Sequence, residues 1–233
     1  MSALVLAEGN RDKLLIIDNN IVIAHMKKCG GTSVCKGLIE TLAADRIDFW
    51  GYTPEGEQRS AQSRRRKGVW KHSSIPDILR KTDLQRENLT IYLISLRPWW
   101  DRVASFYFHA KRYNRKTGTK YPWVQDMSFS AFLRSPYVAE IELLNEFSAS
   151  PEGTPLADVY VPYSELSQWY GELATRLGHP GTALPEYNRG RAKFADGYRE
   201  TYTEADFALM AERFAQEDRM LKRLGLSHPM TTA

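Results

Sequence analysis

Hydrophobic residues along the chain form short continuous runs that are separated by longer stretches of mixed character. The clearest run covers residues 89–96, which are rich in β-branched and aromatic side chains and predict a β-strand. Residues 21–24 form a second run, and its unbroken apolar character is typical of a strand buried on both faces of a parallel sheet. Weaker runs at 13–17, 47–50 and 157–161 predict further strands.

Apolar residues at helical spacing fill much of the chain between these runs. Spacings of three and four place them on one face, which predicts amphipathic helices. The predicted helices cover residues 32–42, 75–79, 99–110, 128–133, 137–147, 164–177 and 204–224. Ser74 and Thr203 stand where N-caps belong, and Gly178 stands where a C-terminal cap belongs. Loops are predicted for the polar segments 53–68, 113–123 and 184–198.

The alternation of strands and helices predicts an α/β fold with a mostly parallel β-sheet flanked by helices. A turn at residues 18–20 favours a hairpin between the first two strands. The length of 233 residues suits a single domain that covers residues 1–233. In such sheets ligands bind beyond the carboxyl ends of the strands. The loops that follow residues 21–24 and 89–96 are therefore the first candidates for a site.

Composition narrows the class of protein without naming a function. Hydrophobic content of 42% and charged content of 26% are ordinary for a globular protein. The net charge of +4 is compatible with an anionic ligand and too small to indicate nucleic acid. No apolar run approaches the ~20 residues that a membrane-spanning helix needs, and the first residues do not have the pattern of a signal peptide. We therefore expect a cytoplasmic protein without a transmembrane segment.

The two cysteines, Cys29 and Cys35, are too few for a structural zinc site, which takes about four ligands. We expect both to be reduced thiols, with Cys35 packed in the core. The sequence shows no other evident metal cluster, so we expect no metal.

The loop after residues 21–24 has the features of an anion site. It reads Lys27-Lys28-Cys29-Gly30-Gly31-Thr32-Ser33 and leads into a predicted helix. Glycines let backbone N–H groups turn toward a ligand, and the helix N-terminus adds positive potential. Thr32 and Ser33 supply hydroxyl donors. The loop differs from that of the nucleotide triphosphatases, in which a lysine follows the second glycine of the motif, because Lys28 precedes Gly30 and Gly31.

A second basic segment follows the strand at residues 89–96. It reads Arg97-Pro98-Trp99-Trp100-Asp101-Arg102, with Ser105 three residues later. Arg97 stands at the end of the strand, and Ser105 lies eight residues further on, which is about two helical turns. The two side chains can therefore converge on one phosphate. Arginine suits this role because its planar fork donates paired hydrogen bonds to phosphate oxygens.

Together these segments resemble the two phosphate-binding signatures of the sulfotransferases that use 3′-phosphoadenosine-5′-phosphosulfate (PAPS), most closely the carbohydrate (family 2) branch. The resemblance spans roughly residues 21–225, with weaker matches at 71–73, 128–133 and 187–190. Three positions depart from the family pattern. Lys27 stands where that branch usually has proline, Pro98 replaces asparagine, and Trp99 replaces proline.

The resemblance implies the P-loop-like sulfotransferase fold and a bacterial-type enzyme. Such an enzyme moves a sulfuryl group from PAPS to a hydroxyl or amine of an acceptor, here expected to be a carbohydrate. Lys28 would hold the leaving oxygen of the donor. The donor-binding residues implied are Lys28, Cys29, Gly30, Gly31, Thr32, Ser33, Arg97, Ser105 and Arg189. The reaction needs no metal, because the leaving phosphate is already held by cationic and N–H donors.

An acceptor hydroxyl also needs a general base, and His72 is the first choice. The resemblance favours it, since family 2 proteins often place a histidine between the two phosphate segments, and imidazole titrates near neutral pH. A plain surface histidine beside a helix start remains the alternative. His109 is the reserve candidate, and Glu140 or Glu142 would serve if the base is a carboxylate.

Two other functions remain open from the sequence. A nucleotide-dependent kinase shares the strand-loop-helix site, but Lys28 stands on the wrong side of the glycines and no magnesium-binding acidic strand end is evident. A non-catalytic module could use the basic loops to hold PAPS or a polyanionic glycan. The basic run at residues 64–67 is either a solvated loop or an electrostatic lip for an acidic acceptor.

Overall fold

A computed structural model describes residues 15–70, 72–117, 121–187 and 198–226 of the chain. In these residues one sheet contains five strands in the order β3-β1-β2-β4-β5. The strands are β1 (Leu15–Ile17), β2 (Ile21–Ala24), β3 (Ile47–Phe49), β4 (Thr90–Leu96) and β5 (Val159–Pro162). Each lies within a predicted strand or extends one residue beyond it.

The sheet is mixed, so the prediction of a mostly parallel sheet is wrong for one half of it. β2 pairs in parallel with β4, and β4 pairs in parallel with β5. β1 runs antiparallel to both β2 and β3. The predicted hairpin explains the reversal, because a short turn can join only antiparallel strands. Asp18 and Asn19 form this turn with φ values of 50° and 57°, a region that Asp and Asn tolerate better than most residues.

Helices cover both faces of the sheet. They are α1 (Gly31–Thr41), α2 (Pro54–Arg65), α3 (Ile75–Lys81), α4 (Trp99–Thr117), α5 (Phe129–Leu133), α6 (Leu144–Ser148), α7 (Leu166–Arg176) and α8 (Glu204–Arg223). The predicted caps are confirmed: Ser74 accepts from the N–H of Asp77, and Thr203 accepts from that of Asp206. Gly178 has a φ of 94° just beyond α7, as a C-terminal cap requires.

Successive residues of each strand contribute to opposite sides of the sheet. Ile23 packs with α1 and α7 on one side. Val22 and Ala24 pack with α3, α6 and α8 on the other. This alternation buries β2 on both faces, as its unbroken apolar run predicts. The result is a sheet between two helical layers, with the motif-bearing loops at the carboxyl ends of β2 and β4.

Helix α2 corrects the prediction of a loop at residues 53–68. Thr53 caps it by accepting the N–H of Gly56, Pro54 stands in its first turn, and basic residues occupy its last turn. Its buried residues are Gly56, Ser60 and Ser63, which are small and not hydrophobic. The helix therefore has the right end signals but no apolar stripe for the pattern to reveal.

Two other boundaries differ from prediction. Helix α4 continues to Thr117, so the predicted loop at 113–123 begins later. The single helix predicted for 137–147 is instead a 3₁₀ turn, Pro136–Glu140, followed by α6. The backbone between them is bound elsewhere: Arg102 donates to the carbonyl of Glu142 at 2.9 Å. Among the described residues, no helix has both the length and the apolar character needed to span a membrane.

Candidate functional site

The two phosphate-binding segments predicted from the sequence lie side by side. β2 and β4 are adjacent and parallel, so the loops that follow them leave the same edge of the sheet. Arg97, just after β4, donates from Nη1 to the carbonyl oxygen of Lys28 at 3.4 Å. The two segments therefore form one continuous surface at the carboxyl ends of the strands, which is where α/β sheets bind ligands.

The loop after β2 has an unusual backbone. Lys28 and Gly30 have φ values of 65° and 72°, both in the left-handed region. This region suits glycine, whereas a lysine there is strained and must be held by its surroundings. Gly31 packs tightly on His25, since a Cβ at this glycine would lie 2.0 Å from the imidazole. His25 thus packs beneath the loop, and Gly31 has no room for a side chain.

The helix α1, which follows this loop, begins with backbone N–H groups that no side chain caps. Gly30 is the N-cap, and no side chain caps the helix there. The N–H of Ser33 donates to the Gly30 carbonyl at 3.0 Å, whereas the N–H groups of Gly31 and Thr32 lie at the very start of the helix and have no acceptor within it, so this end attracts anions. One predicted donor is engaged: the hydroxyl of Ser33 accepts from the Tyr187 N–H at 3.1 Å and donates to the Tyr187 carbonyl at 3.3 Å. The hydroxyl of Ser33 therefore ties the segment before residue 188 to α1.

Lys28, Arg97 and Arg112 lie close enough together for their positive charges to interact. The pKa of Lys28 is lowered from its usual 10.5 to about 8, first by burial and then by the positive charges of Arg112 and Arg97. Protonated Lys28 is thus destabilised, and a bound anion would relieve this. Arg112 lies on α4 seven residues beyond Ser105, which places both on one helical face. Arg112 is not among the predicted donors, because the sequence pattern predicts this helix only as far as residue 110.

Arg97 is held in place but is not fully satisfied. It pairs with Asp101 at 3.2 Å, and its guanidinium lies 4.8 Å from the centre of the Tyr163 ring. Its Nε is buried and has no hydrogen-bond partner. A buried donor without a partner costs free energy, so this atom indicates room for an acceptor. Tyr163 follows β5 at the same edge of the sheet and was not singled out from the sequence.

The remaining predicted donor residues are placed less directly. Ser105 is buried on α4, two turns after Arg97. Asp101 accepts the N–H of Tyr198 at 2.8 Å, which anchors the chain just after residue 197 to the start of α4. Arg189 lies outside the described residues. Cys29 is buried, and burial raises the pKa of its thiol to about 11, so the thiol stays protonated near neutral pH.

His72 lies against the base of the β2 loop. Its Nδ1 is 3.4 Å from the carbonyl oxygen of His25, and the two imidazole centres are 4.7 Å apart. Trp70 packs edge-on against it at 5.2 Å. The ring centre of Trp70 lies 4.3 Å from the guanidinium carbon of Arg64, which belongs to the basic run on α2. The first two residues of this run, Arg64 and Arg65, end helix α2 beside the candidate site, and residues 66 and 67 form the turn that follows it.

The other candidate bases have different surroundings. His109 lies among aromatic rings on α4, with ring centres 6.0 Å from Tyr113 and 6.3 Å from Tyr121. Glu142 accepts the backbone N–H of Lys27 at 3.0 Å and lies 3.4 Å from its ammonium. Glu140 also contacts that ammonium, at 3.7 Å. Both carboxylates are therefore partners of Lys27.

The arrangement gathers backbone donors, hydroxyls and three cationic side chains at one edge of a sheet. Such a set binds anions, and its two segments suit a ligand with two separate phosphate groups. Among the described residues, no cluster of three His, Cys, Asp or Glu side chains could hold a metal ion. Comparisons with protein-family models, curated proteins and solved structures found no match to this chain.

Proposed function

We propose that this chain is a sulfotransferase that moves a sulfuryl group from PAPS to a hydroxyl or amine of a carbohydrate acceptor. The observation that carries the proposal is the contact between Arg97 and the Lys28 carbonyl at 3.4 Å. It joins two segments that each resemble a phosphate-binding signature, at the edge where a parallel sheet binds ligands. Either segment alone would support only an anion site.

The residues present suit the donor. The 5′-phosphosulfate would bind at the first turn of α1, where the exposed Gly30 is the N-cap and no side chain caps the helix. The 3′-phosphate would bind to Arg97 and Ser105, and the buried Nε of Arg97 supplies a donor that lacks a partner. The crowding of Lys28 by Arg97 and Arg112 also favours a ligand with several negative charges.

The chemistry follows from these positions. The acceptor oxygen attacks sulfur while the bond from sulfur to the bridging phosphate oxygen breaks, so negative charge develops on that oxygen. Lys28 would stabilise this charge by donating a hydrogen bond that strengthens in the transition state. The acceptor proton leaves to a base, for which we propose His72 because it packs on His25 at the base of the loop.

The direct test incubates the purified chain with radiolabelled PAPS and a panel of bacterial glycans, in the presence of EDTA. We expect labelled glycan to form at the same rate with and without EDTA, and a Lys28→Met variant to form almost none. Glycan labelling that requires added magnesium and ATP instead of PAPS would identify a kinase. Tight binding of the product nucleotide 3′-phosphoadenosine-5′-phosphate (PAP) without transfer to any glycan would identify a binding module.

A further inference from the structure

Lys27 occupies the position at which the resembled loop has proline, and one carboxylate contacts both its backbone and its side chain. Glu142 accepts the backbone N–H of Lys27 at 3.0 Å through Oε2. The other oxygen of Glu142 lies 3.4 Å from the Lys27 ammonium. A proline at this position would have no N–H to donate. The chain therefore has, beside its loop, a carboxylate that binds both the main chain and the side chain of one residue.

Glu142 belongs to a segment that is itself fixed to two helices. Arg102 of α4 donates to the carbonyl of Glu142 at 2.9 Å and also binds the carboxylate of Glu217 of α8, with one contact of 2.6 Å. The N–H of Leu144 donates to the same carboxylate at 3.1 Å. Arg102 and Glu217 are both almost completely buried. Residues 142–144 therefore form a rigid support beside the loop.

The residue that follows Lys27 is the one that needs such support. Lys28 has a left-handed backbone, which a lysine adopts only where neighbouring contacts impose it. One of these contacts is the Arg97 hydrogen bond to its carbonyl. The Glu142 bond acts on the other side of Lys28, at the peptide N–H of Lys27. The backbone of Lys28 is thus held from both directions.

We propose that Glu142 is a positioning residue: by accepting the Lys27 N–H it fixes the Lys28 backbone, and so directs the Lys28 ammonium toward Arg97 and Arg112. The inference rests on the proposed function for what Lys28 does to a substrate, but not for the geometry of the loop. It gives Glu142 a structural task in place of the role of general base. Its carboxylate is already committed to Lys27.

The hydrogen bond to the backbone, and not the ion pair, carries this effect. The side chains of Lys27 and Glu142 are 22% and 23% exposed, so water weakens the attraction between them. The N–H bond acts on the main chain itself, at the peptide group between Met26 and Lys27, one residue before Lys28. The two contributions can be separated, because glutamine keeps an oxygen that accepts the N–H, and methionine at position 27 keeps the N–H while removing the ammonium.

The test compares Glu142→Ala, Glu142→Gln and Lys27→Met with the matched control Glu140→Ala, which removes a carboxylate that contacts only the ammonium of Lys27. The first readout is the Lys28 pKa, measured from the pH dependence of its acylation rate by mass spectrometry. We expect it to rise from about 8 toward 10.5 in Glu142→Ala, because the freed loop lets the ammonium reach water. It should stay near 8 in the other three variants.

The sign of this shift separates positioning from simple electrostatics. Removing a nearby negative charge would by itself lower the pKa of a lysine, and would do so equally in Glu142→Ala and Glu142→Gln. The second readout is transfer: we expect kcat to fall by about 10²-fold in Glu142→Ala, as for a reacting group displaced by about 1 Å. The Gln, Met and Glu140 variants should remain within about fivefold of the wild type.

A Lys28 pKa that stays at or below 8 in Glu142→Ala, or equal losses of kcat in all three Glu142 and Lys27 variants, would overturn the proposal. If the alanine variant does not fold, amide hydrogen exchange of Lys27 in the wild type decides: protection supports the bond, and exchange at the unprotected rate contradicts it. If the pKa rises as expected while the wild type transfers no sulfuryl group, the positioning role stands and the proposed function fails.

Discussion

The two segments that meet at the candidate site are built by different means. In the proposed site, the segment after β2 contributes its backbone: Lys28 and Gly30 are left-handed, and no side chain caps the helix start at Gly31. The segment after β4 contributes side chains: Arg97 lies just before α4, and Ser105 lies within that regular helix. The first half therefore depends on conformation, and the second half depends on charge. The two halves should fail in different ways when they are mutated.

The largest effect is expected outside both segments, at the proposed base. His72→Ala should lower the transfer rate by about 10²–10⁴-fold, the usual contribution of general base catalysis, while PAP binds as in the wild type. Steady-state transfer and a PAP titration measure the two quantities. His109→Ala is run in parallel and should keep most of its rate. If His72→Ala retains more than about a tenth of wild-type turnover, well above that range, His72 is not the base.

The next largest effect is expected at Lys28, the charged residue of the segment after β2. Lys28→Met should lower kcat by about 10²–10³-fold, as losing one transition-state donor does, and weaken PAP binding much less. Lys27→Met is the matched control, with the adjacent lysine removed. The measurement is kcat and KM for PAPS with a good acceptor. A variant with a raised KM and unchanged kcat would assign Lys28 to ground-state binding alone.

A smaller effect tests the claim that this half depends on backbone conformation. Gly31→Ala places a methyl group against the His25 imidazole and should lower the free energy of unfolding by about 1–3 kcal/mol, the usual result of overpacking. Gly171→Ala is the control, because the nearest atom to a Cβ there is 3.8 Å away, and it should be neutral or stabilising. Urea unfolding measures both. Equal midpoints for the two variants would show that the contact with His25 is not rigid.

The smallest effect is the pH dependence of PAP binding. A bound anion favours protonated Lys28 and so raises its pKa above the value of about 8 in the free protein. Affinity should therefore be greatest below pH 8 and fall above it, by at most about tenfold per pH unit, until the pKa of the complex is passed. Lys28→Met should remove this component. Isothermal titration between pH 6.5 and 9.5 measures it, at roughly the span over which such a lysine titrates.

Much of this site was predictable because its residues are close together in the sequence. Buried strands and a change from apolar run to helical spacing located both loops, and the order of Lys28 and its glycines suggested the chemistry. β2 and β4 pair in parallel, as the α/β pattern predicts. The antiparallel pairing of β1 with β3 was not predicted, because it joins segments separated by a helix and no local pattern specifies it.

The contacts that were not predicted, including that of Glu142 with Lys27, share a different property. Arg112 and Glu142 lie far along the chain from Lys27 and Lys28, and only the fold brings them close. Helix α2 was missed because its buried face consists of Gly56, Ser60 and Ser63, which give no hydrophobic signal. Its cap at Thr53, the proline in its first turn and its terminal charges were nevertheless visible in the sequence. These end signals, and not the hydrophobic pattern, indicate helix α2.

The central claim is that the two segments form one site for a nucleotide with phosphates at both positions, and nucleotide selectivity tests it most directly. Titration of the wild type should show PAP binding about 10- to 10²-fold more tightly than AMP, as expected for one additional charged hydrogen-bonding group. Arg97→Ala should bind both nucleotides equally, while Arg86→Ala, which removes a surface arginine paired with Asp158, should keep the preference. Equal affinities of the wild type for PAP and AMP would contradict the claim.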